Sequence, residues 1–349
     1  MNDQDYMKIA VKMAWKGLGN TWTNPRVGAV IVKDGRLVAS GYHHQFGEHH
    51  AEIDALSNVP DAESVKGATM YVTMEPCSHF GKTPPCSDRL IKEGFKRVVV
   101  GQVDPNPIVA GKGIERLRSS GVEVEILGTT TALNEAYNFY YERQQPMVTM
   151  KYAMSLDGKI NQQPSRRTII SSEEAQADSQ KLRRMNQAIL VGERTFKTDD
   201  PRLTVRGLDK RFQPVRIILV RDANSVTPDK RLFENDGPVW ILSGQSAHQQ
   251  FPAFVHVFVK DDWRPNDVLA LLSEHHLQSL LVEGGSQIQA EFVRANLVDQ
   301  LVTYVAPIVI GGTGLPAVSG VSNGKLTYFE APEVTQLGHD LKITVRRAR

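Results

Sequence analysis

The chain has little net charge, few cysteines and no long apolar run, and each shortage excludes something. Over 349 residues, 41 Lys and Arg against 39 Asp and Glu leave a formal charge of +2. That balance argues against the strongly basic face of a nucleic-acid binder, and leaves room for a small anionic ligand gripped by a few arginines. No segment approaches the roughly 20 apolar residues of a spanning helix, so no membrane partner is expected. The first five residues, MNDQD, are acidic and polar, the reverse of a secretory signal, and the expected location is cytoplasmic. Two cysteines, Cys77 and Cys86, are too few for a disulfide scaffold and read as a metal-binding or catalytic pair. What is present is ordinary globular material, 41% hydrophobic and 23% charged, which excludes bulk disorder. At about 150 residues per domain the length fits two domains.

Periodicity outlines both. Met7, Ala10, Val11 and Ala14 form a helical stripe that stops near Gly17 and Gly19. Residues 27–32 and 37–41 read as strands joined by Asp34-Gly35, a strong hairpin signal. Helix–strand units follow: helix 51–56, strand 69–74, helix 86–93, strand 97–103, helix 114–118, strand 122–127 and helix 133–143. A hairpin followed by such units predicts a three-layer α/β domain on a mixed sheet. The polar break Gln144-Gln145-Pro146 marks a boundary, giving domains 1–145 and 146–349. The second domain is again α/β. Strands are predicted at 148–153, 188–191, 215–220, 239–242, 255–259, 280–282 and 301–305, and helices at 267–273 and 287–295. Ser171 and Glu174 fit a capping box opening a helix that runs to about Met185.

Five of the ten histidines (His43, His44, His49, His50 and His79) fall between positions 43 and 79, beside both cysteines. Zinc favours imidazole with thiolate, and a catalytic site keeps three protein ligands and one open position. His50, Cys77 and Cys86 supply that set. His50-Ala51-Glu52 sits where a helix begins, Cys77 follows a strand, and Cys86 opens a helix whose dipole favours thiolate. H-x-E followed by P-C and a second cysteine is the zinc deaminase signature, its Glu the general acid/base rather than a ligand. Eight residues separate these cysteines where two are usual. A structural site with His79 as fourth ligand, a disulfide, or two ordinary buried thiols are the alternatives. Glu52 favours the catalytic reading, because a structural site has no use for a carboxylate beside an open position.

The segment 74–86, MEPCSHFGKTPPC, with Asn24-Pro25-Arg26-Val27-Gly28-Ala29-Val30, His50-Ala51-Glu52 and Asp104-Pro105-Asn106-Pro107, resembles the bifunctional riboflavin-biosynthesis deaminase/reductase family. That family carries the longer insert between its cysteines. The second half resembles it through KYAMSLDGKI (151–160), DDPRLTVR (199–206) and Val282-Glu283-Gly284-Gly285, so the likeness covers nearly the whole chain. It implies a cytidine-deaminase-like N-terminal domain and a dihydrofolate-reductase-like C-terminal domain, with Zn2+ and NADPH as cofactors. It also implies two reactions: deamination of a diamino-ribosylamino-pyrimidinone phosphate, then reduction of the ribosyl chain to ribityl. Glu52 would be the proton shuttle. Asn24, His43, His79, Lys82, Thr83, Asp104 and Asn106 would line the deaminase substrate site. Lys151, Arg183, Leu203, Arg206 and Glu283 would contact the reductase substrate, and Ala153, Thr195, Asp199 and Gly285 would contact NADPH. A homodimer is expected from the same likeness.

On residues alone the second half says less. Glu283-Gly284-Gly285-Ser286 lies between strand and helix, where small residues let backbone N–H groups approach a phosphate; a plain turn reads the same way, as does Gly311-Gly312-Thr313-Gly314. No G-x-G-x-x-G opens a βαβ unit, which argues against a Rossmann domain. Arg183 and Arg206 are candidates for the substrate phosphate. Between 165 and 171 the run SRRTIIS lacks the family's Trp, and makes Arg166 or Arg167 a candidate for an NADPH phosphate. Two other functions compete. One is a nucleoside or tRNA deaminase with a silent second domain, which would consume no NADPH. The other is a zinc-stabilised binding module, which would release no ammonia.

Overall fold

Asp34 and Gly35 take positive φ angles of 49° and 74° in the computed structural model of the chain, as a two-residue hairpin turn matched to strand twist requires. They join β1 (Gly28–Lys33) to β2 (Arg36–Tyr42). The structure describes residues 1–60, 64–78, 84–163, 168–208, 212–320 and 326–348. It forms two units, Met1–Gln144 and Gln145–Arg349.

In the first unit β1 pairs antiparallel with β2 and with β3 (Thr69–Val72). β3, β4 (Arg97–Val100) and β5 (Glu123–Ile126) run parallel, so the sheet is mixed, in the order β2-β1-β3-β4-β5. Alternate side chains leave opposite faces of each strand. Ala29, Ile31, Met70, Val72, Val98 and Val100 pack against α2 (Ala51–Ser57), α3 (Cys86–Lys92) and α4 (Lys112–Ser119) through Ala55, Leu90, Ile114 and Leu117. Val30, Val32, Tyr71 and Val99 pack on the other side with Tyr6, Met7 and Ala10 of α1 (Asp3–Trp15). These are the three predicted layers. Each fully buried Ile, Leu or Met among them contributes about 1.5–3 kcal/mol over exposure. β3 ends before the predicted Met74: the Thr73 amide still donates to the Gly28 carbonyl of β1 at 3.0 Å, but the Thr73 carbonyl leaves the ladder. The Thr73 hydroxyl accepts from Gly28 N at 3.1 Å and the carbonyl from the Thr130 hydroxyl at 2.7 Å. α5 (Glu135–Arg143) closes the unit.

In the second unit β6 (Met147–Ser155), β8 (Ala188–Gly192), β9 (Val215–Val220), β10 (Val239–Ser243), β11 (Val255–Val259), β12 (Ser279–Gly284) and β13 (Gln300–Ala306) are parallel. A hairpin of β15 (Glu333–Leu337) and β16 (Asp340–Arg346) extends the sheet antiparallel from β13, giving the order β11-β10-β9-β8-β12-β6-β13-β16-β15. β7 (Lys159–Asn161) and β14 (Leu315–Pro316) form a separate two-stranded piece. The helices are α6 (Glu173–Met185), α7 (Glu193–Asp199), α8 (Pro265–Glu274) and α9 (Ser286–Arg294). From β8 the chain goes outward to β9, whereas from β12 it goes the other way, to β13. A sheet that reverses its winding between two neighbours opens a crevice at their carboxyl ends.

One expectation fails here, and one open reading narrows. The cap of α6 is Ser172, whose hydroxyl accepts from Ala175 N at 3.1 Å, so the Ser171–Glu174 capping box does not form. Asp340 decides the register: its carboxylate accepts the Ser172 amide at 2.7 Å, fixing Ser172 as the residue that starts the helix. Of the two readings left open for Gly311-Gly312-Thr313-Gly314, the plain turn gains support, its Gly314 amide donating to the Gly311 carbonyl at 3.3 Å. The Asp157 carboxylate accepts from Ile310 N and Gly311 N at 3.0 and 2.7 Å, so those donors are spent within the protein.

Candidate active sites

The first site lies where α2 and α3 begin. His50 is the N-cap of α2, Glu52 sits in its first turn, and Cys86 is the first residue of α3. Cys77 lies in the loop after β3, held by α3: Cys86 N donates to its sulfur at 3.4 Å and Ser87 N to its carbonyl at 3.1 Å. Among the described residues, ligand atoms of His50, Cys77 and Cys86 all lie within 4.8 Å of one another. His50 Nδ1 is 3.5 Å from Cys77 Sγ and 3.4 Å from Cys86 Sγ. Around a tetrahedral zinc, with Zn–S near 2.3 Å and Zn–N near 2.0–2.1 Å, such ligands stand roughly 3.6 Å apart. The residues therefore fit the ion. Both cysteines are free thiols, which removes the disulfide reading.

Without a metal the three groups share protons. The Cys86 thiol and then His50 draw Cys77 down to about 4, and the bond to the Cys77 sulfur draws His50 up to about 9. Cys86, bonded to that sulfur and buried, is driven up. Metal binding takes up the protons' place on such ligands. Glu52 is 3% exposed, and burial pushes it up to about 7.

Around this centre His43 is buried, with its ring edge-on to that of His50 at 5.6 Å. Its Nδ1 is 2.9 Å from the His49 carbonyl and its Nε2 is 3.2 Å from Asn24 Nδ2. A carbonyl can only accept, so Nδ1 carries the proton and Nε2 accepts from the Asn24 amide. Burial lowers the pKa of His43, which keeps the ring neutral. His44, left outside the site by sequence, stacks on Tyr42 at 3.9 Å and pairs with Asp54. Asp104 is buried, its Oδ1 accepting from Tyr137 OH at 3.0 Å and from Asn106 N at 2.9 Å. Sequence reasoning missed Tyr137 and also Glu75, a buried carboxylate bonded to the backbone around Asp104. No periodicity marks either, since both act across long sequence separations. His79, Lys82 and Thr83 lie outside the described residues.

The second site occupies the crevice of the other unit, a cavity of about 1150 Å3. Lys151, Ala153, Arg183, Thr195, Asp199, Arg206, Glu283 and Gly285, all expected from sequence, line it. Leu203 does not: it is 1% exposed and packed in the core of the unit. Glu283 is held by Arg183, whose Nε and Nη2 donate to its two oxygens at 2.9 and 2.6 Å, with Lys151 Nζ at 3.7 Å. Burial would raise the Glu283 pKa, yet the two cations bring it down to about 2. Arg183 thus spends its fork on a carboxylate, while the exposed Arg206 stands at the rim. Gly284 has φ 124°, and a Cβ on Gly285 would lie 2.8 Å from Thr195 Oγ1. Backbone without side chains at the start of α9 fits a cofactor phosphate drawn up against N–H groups. Arg166 and Arg167 lie outside the described residues.

Two family models match the chain: residues 1–102 the cytidine and deoxycytidylate deaminase zinc-binding region, and residues 146–343 the RibD C-terminal domain. The riboflavin biosynthesis protein RibD of Aquifex aeolicus is 38% identical, the match covering 99% of this chain and 98% of that protein. RibD of Bacillus amyloliquefaciens is 40% identical over 98% of this chain and 95% of that one. Among solved structures, RibD of Acinetobacter baumannii (form 1) superposes with a TM-score of 0.88 at 31% identity over 99% of both chains. A diaminohydroxyphosphoribosylaminopyrimidine deaminase/5-amino-6-(5-phosphoribosylamino)uracil reductase from Thermotoga maritima gives 0.88 at 35% identity, again over 99% of both. The folds are accordingly cytidine-deaminase-like in the first half and dihydrofolate-reductase-like in the second. Carrying both halves in one polypeptide, the chain belongs to the RibD family of riboflavin biosynthesis, enzymes that join a zinc-dependent deaminase to an NADPH-dependent reductase.

Proposed function

We propose that the domain 1–145 hydrolyses the 2-amino group of 2,5-diamino-6-ribosylamino-4(3H)-pyrimidinone 5′-phosphate, and that the domain 146–349 then reduces the ribosyl chain to give 5-amino-6-(5-phosphoribitylamino)uracil. The observation that carries this reading is the buried Glu52 carboxyl beside three converging metal-ligand atoms.

His50, Cys77 and Cys86 would hold the zinc. Bound zinc supplies Lewis acidity that brings the pKa of a water toward neutrality. Glu52 takes one proton from the attacking water and places it on the ring nitrogen, then carries the second, from the new hydroxyl, to the amino group, which leaves as ammonia as the carbonyl forms. A positioned proton shuttle of this kind contributes about 10²–10⁴-fold. Neutral His43 and Asn24 orient the pyrimidine, and Asp104 and Asn106, together with His79, Lys82 and Thr83, receive the ribose phosphate.

In the second domain bound NADPH supplies the hydride. Ala153, Thr195, Asp199 and Gly285 set the cofactor, while Lys151, Arg183, Leu203, Arg206 and Glu283 set the sugar. Leu203, its side chain in the core, can serve only through its backbone. The protein's contribution is alignment of donor and acceptor carbon, with no obligatory side-chain acid. A cytoplasmic location fits two cysteines that must stay reduced to bind metal, and a homodimer is the assembly we infer from the family likeness.

The test is NADPH oxidation after adding the diamino compound, in wild type and in Glu52→Gln, followed by the deaminated compound. Wild type is expected to oxidise NADPH from either, the variant from the second alone. Ammonia without NADPH loss would mean a silent second domain; no ammonia from zinc-loaded protein would mean a structural metal.

A further inference from the structure

Glu75 stands two residues before the zinc-ligand candidate Cys77, and its carboxylate is spent entirely on backbone. Oε1 accepts from Gly113 N at 2.9 Å and Ile114 N at 3.3 Å. Oε2 accepts from Gly111 N at 2.9 Å and Asp104 N at 3.2 Å. An ionised carboxylate offers about four acceptor positions, and these four amides fill them. The residue is 4% exposed, so little water competes. Its own amide donates to the Gln102 carbonyl at 3.0 Å, which ties the loop of Cys77 to the end of β4. Gly113 permits the approach: a Cβ there would lie 1.9 Å from the Pro76 carbonyl oxygen.

The segment so gripped begins at Asp104 and contains Asn106. Within it Asp104 Oδ1 accepts the Asn106 amide, Asn106 Oδ1 accepts the Ile108 amide at 3.1 Å, and Asn106 O accepts Val109 N at 2.8 Å. These bonds shape the turn but do not place it relative to Cys77. Glu75 does that, because one short side chain bonds both ends of the segment. Charge-assisted bonds to buried amides are about twice as strong as neutral ones, which suits a fixed register.

We propose that Glu75 is the positioning residue of the deaminase substrate site. By pinning residues 104–114 to the loop that carries Cys77, it sets the distance between the sugar-phosphate contacts of Asp104 and Asn106 and the atom attacked at the metal. The inference rests on the reading of Asp104 and Asn106 as substrate contacts. Glu75 touches no substrate itself.

The test is Glu75→Gln, which keeps the shape and turns acceptor positions into N–H donors facing N–H donors. Deamination by the zinc-loaded, full-length variant is expected to show a KM for the diamino-ribosylamino-pyrimidinone phosphate raised roughly tenfold or more, with kcat within about threefold of wild type. Zinc content and NADPH oxidation from the deaminated compound are expected to stay at wild-type values. An unchanged KM, or a loss of zinc with an equal fall in kcat, overturns the proposal. Asn106→Ala separates the two ideas. If it raises KM while Glu75→Gln does not, positioning by Glu75 fails alone; if it leaves KM unchanged, the substrate reading of the segment fails. Amide exchange in the wild-type protein tests the clasp without any variant. The Gly111, Gly113 and Ile114 amides are expected to be protected, and exchange at the rate of an open loop overturns the proposal.

Discussion

Arg183, on a helix, and Glu283, at the end of a strand a hundred residues later, form a two-pronged ion pair inside the reductase cavity. Both side chains are largely buried, at 17% and 6% exposure, with Lys151 beside them. Such a pair is weak evidence for stability as a pair, since desolvation offsets much of the attraction, but removing one member strands the other.

Glu283→Gln is therefore expected to destabilise the second unit by about 3–5 kcal/mol, leaving a guanidinium and an ammonium without their carboxylate. NADPH oxidation should be lost and ammonia release retained. Denaturant unfolding followed by the fluorescence of Trp240 and Trp263, both in this unit, reads the first effect. An unchanged midpoint would show that the pair is dispensable for folding.

The same pair sets an acid limit. Glu283 is held near 2 in the fold, against an ordinary value near 4.5. A carboxyl depressed by folding contributes its stability above the unfolded value and loses it as pH falls through the folded one. That contribution, roughly 3 kcal/mol, is expected to be intact above about pH 4.5 and to vanish toward pH 2. Thermal unfolding of wild type and Glu283→Gln across this window should converge as pH falls. Parallel curves would remove Glu283 as the titrating group.

Much of this was legible in the sequence because the signals are local. The hairpin was written in Asp34-Gly35, the strands in short β-branched runs, and the metal triad in residue types whose chemistry leaves few other uses. Elements without a local signal were missed. α7 is seven residues long with Phe196 as its buried side chain, too short to display a helical period. β15 is exposed along nearly its whole length, so it has no alternation to read. The cap of α6 moved by one residue because Asp340, far along the chain, chose Ser172 over Ser171. The same limit hid Glu75, whose four partners begin 29 positions away. Leu203 matched a motif, yet burial puts its side chain in the core; a motif fixes order along the chain and not which way a side chain faces.

Gly285→Ala probes the floor of the cleft proposed to take NADPH. The added Cβ would lie 2.8 Å from Thr195 Oγ1, inside contact distance, and Thr195 is β-branched on a helix, where its χ1 has few alternatives. The hydroxyl and the new methyl both intrude on space proposed for NADPH. The Kd for NADP+ measured by calorimetry is expected to rise roughly tenfold or more, with deamination unaffected. An unaltered Kd would place the nucleotide elsewhere in the cavity.

Chelation should separate the two activities, because the three candidate metal ligands belong to one unit and the reductase domain is the other. Stripping zinc is expected to abolish ammonia release while NADPH oxidation from the deaminated compound continues, and added zinc should restore the first. Cys77→Ser is expected to behave like stripped protein, since a hydroxyl at this position does not ionise as the Cys77 thiol does. Thermal melting distinguishes a catalytic from a structural ion. The first unit has two packed faces on its sheet, built from residues away from the triad, and should stay folded without metal. If it melts on chelation, the ion is holding the fold and the open position assigned to substrate chemistry is not needed to explain the cluster.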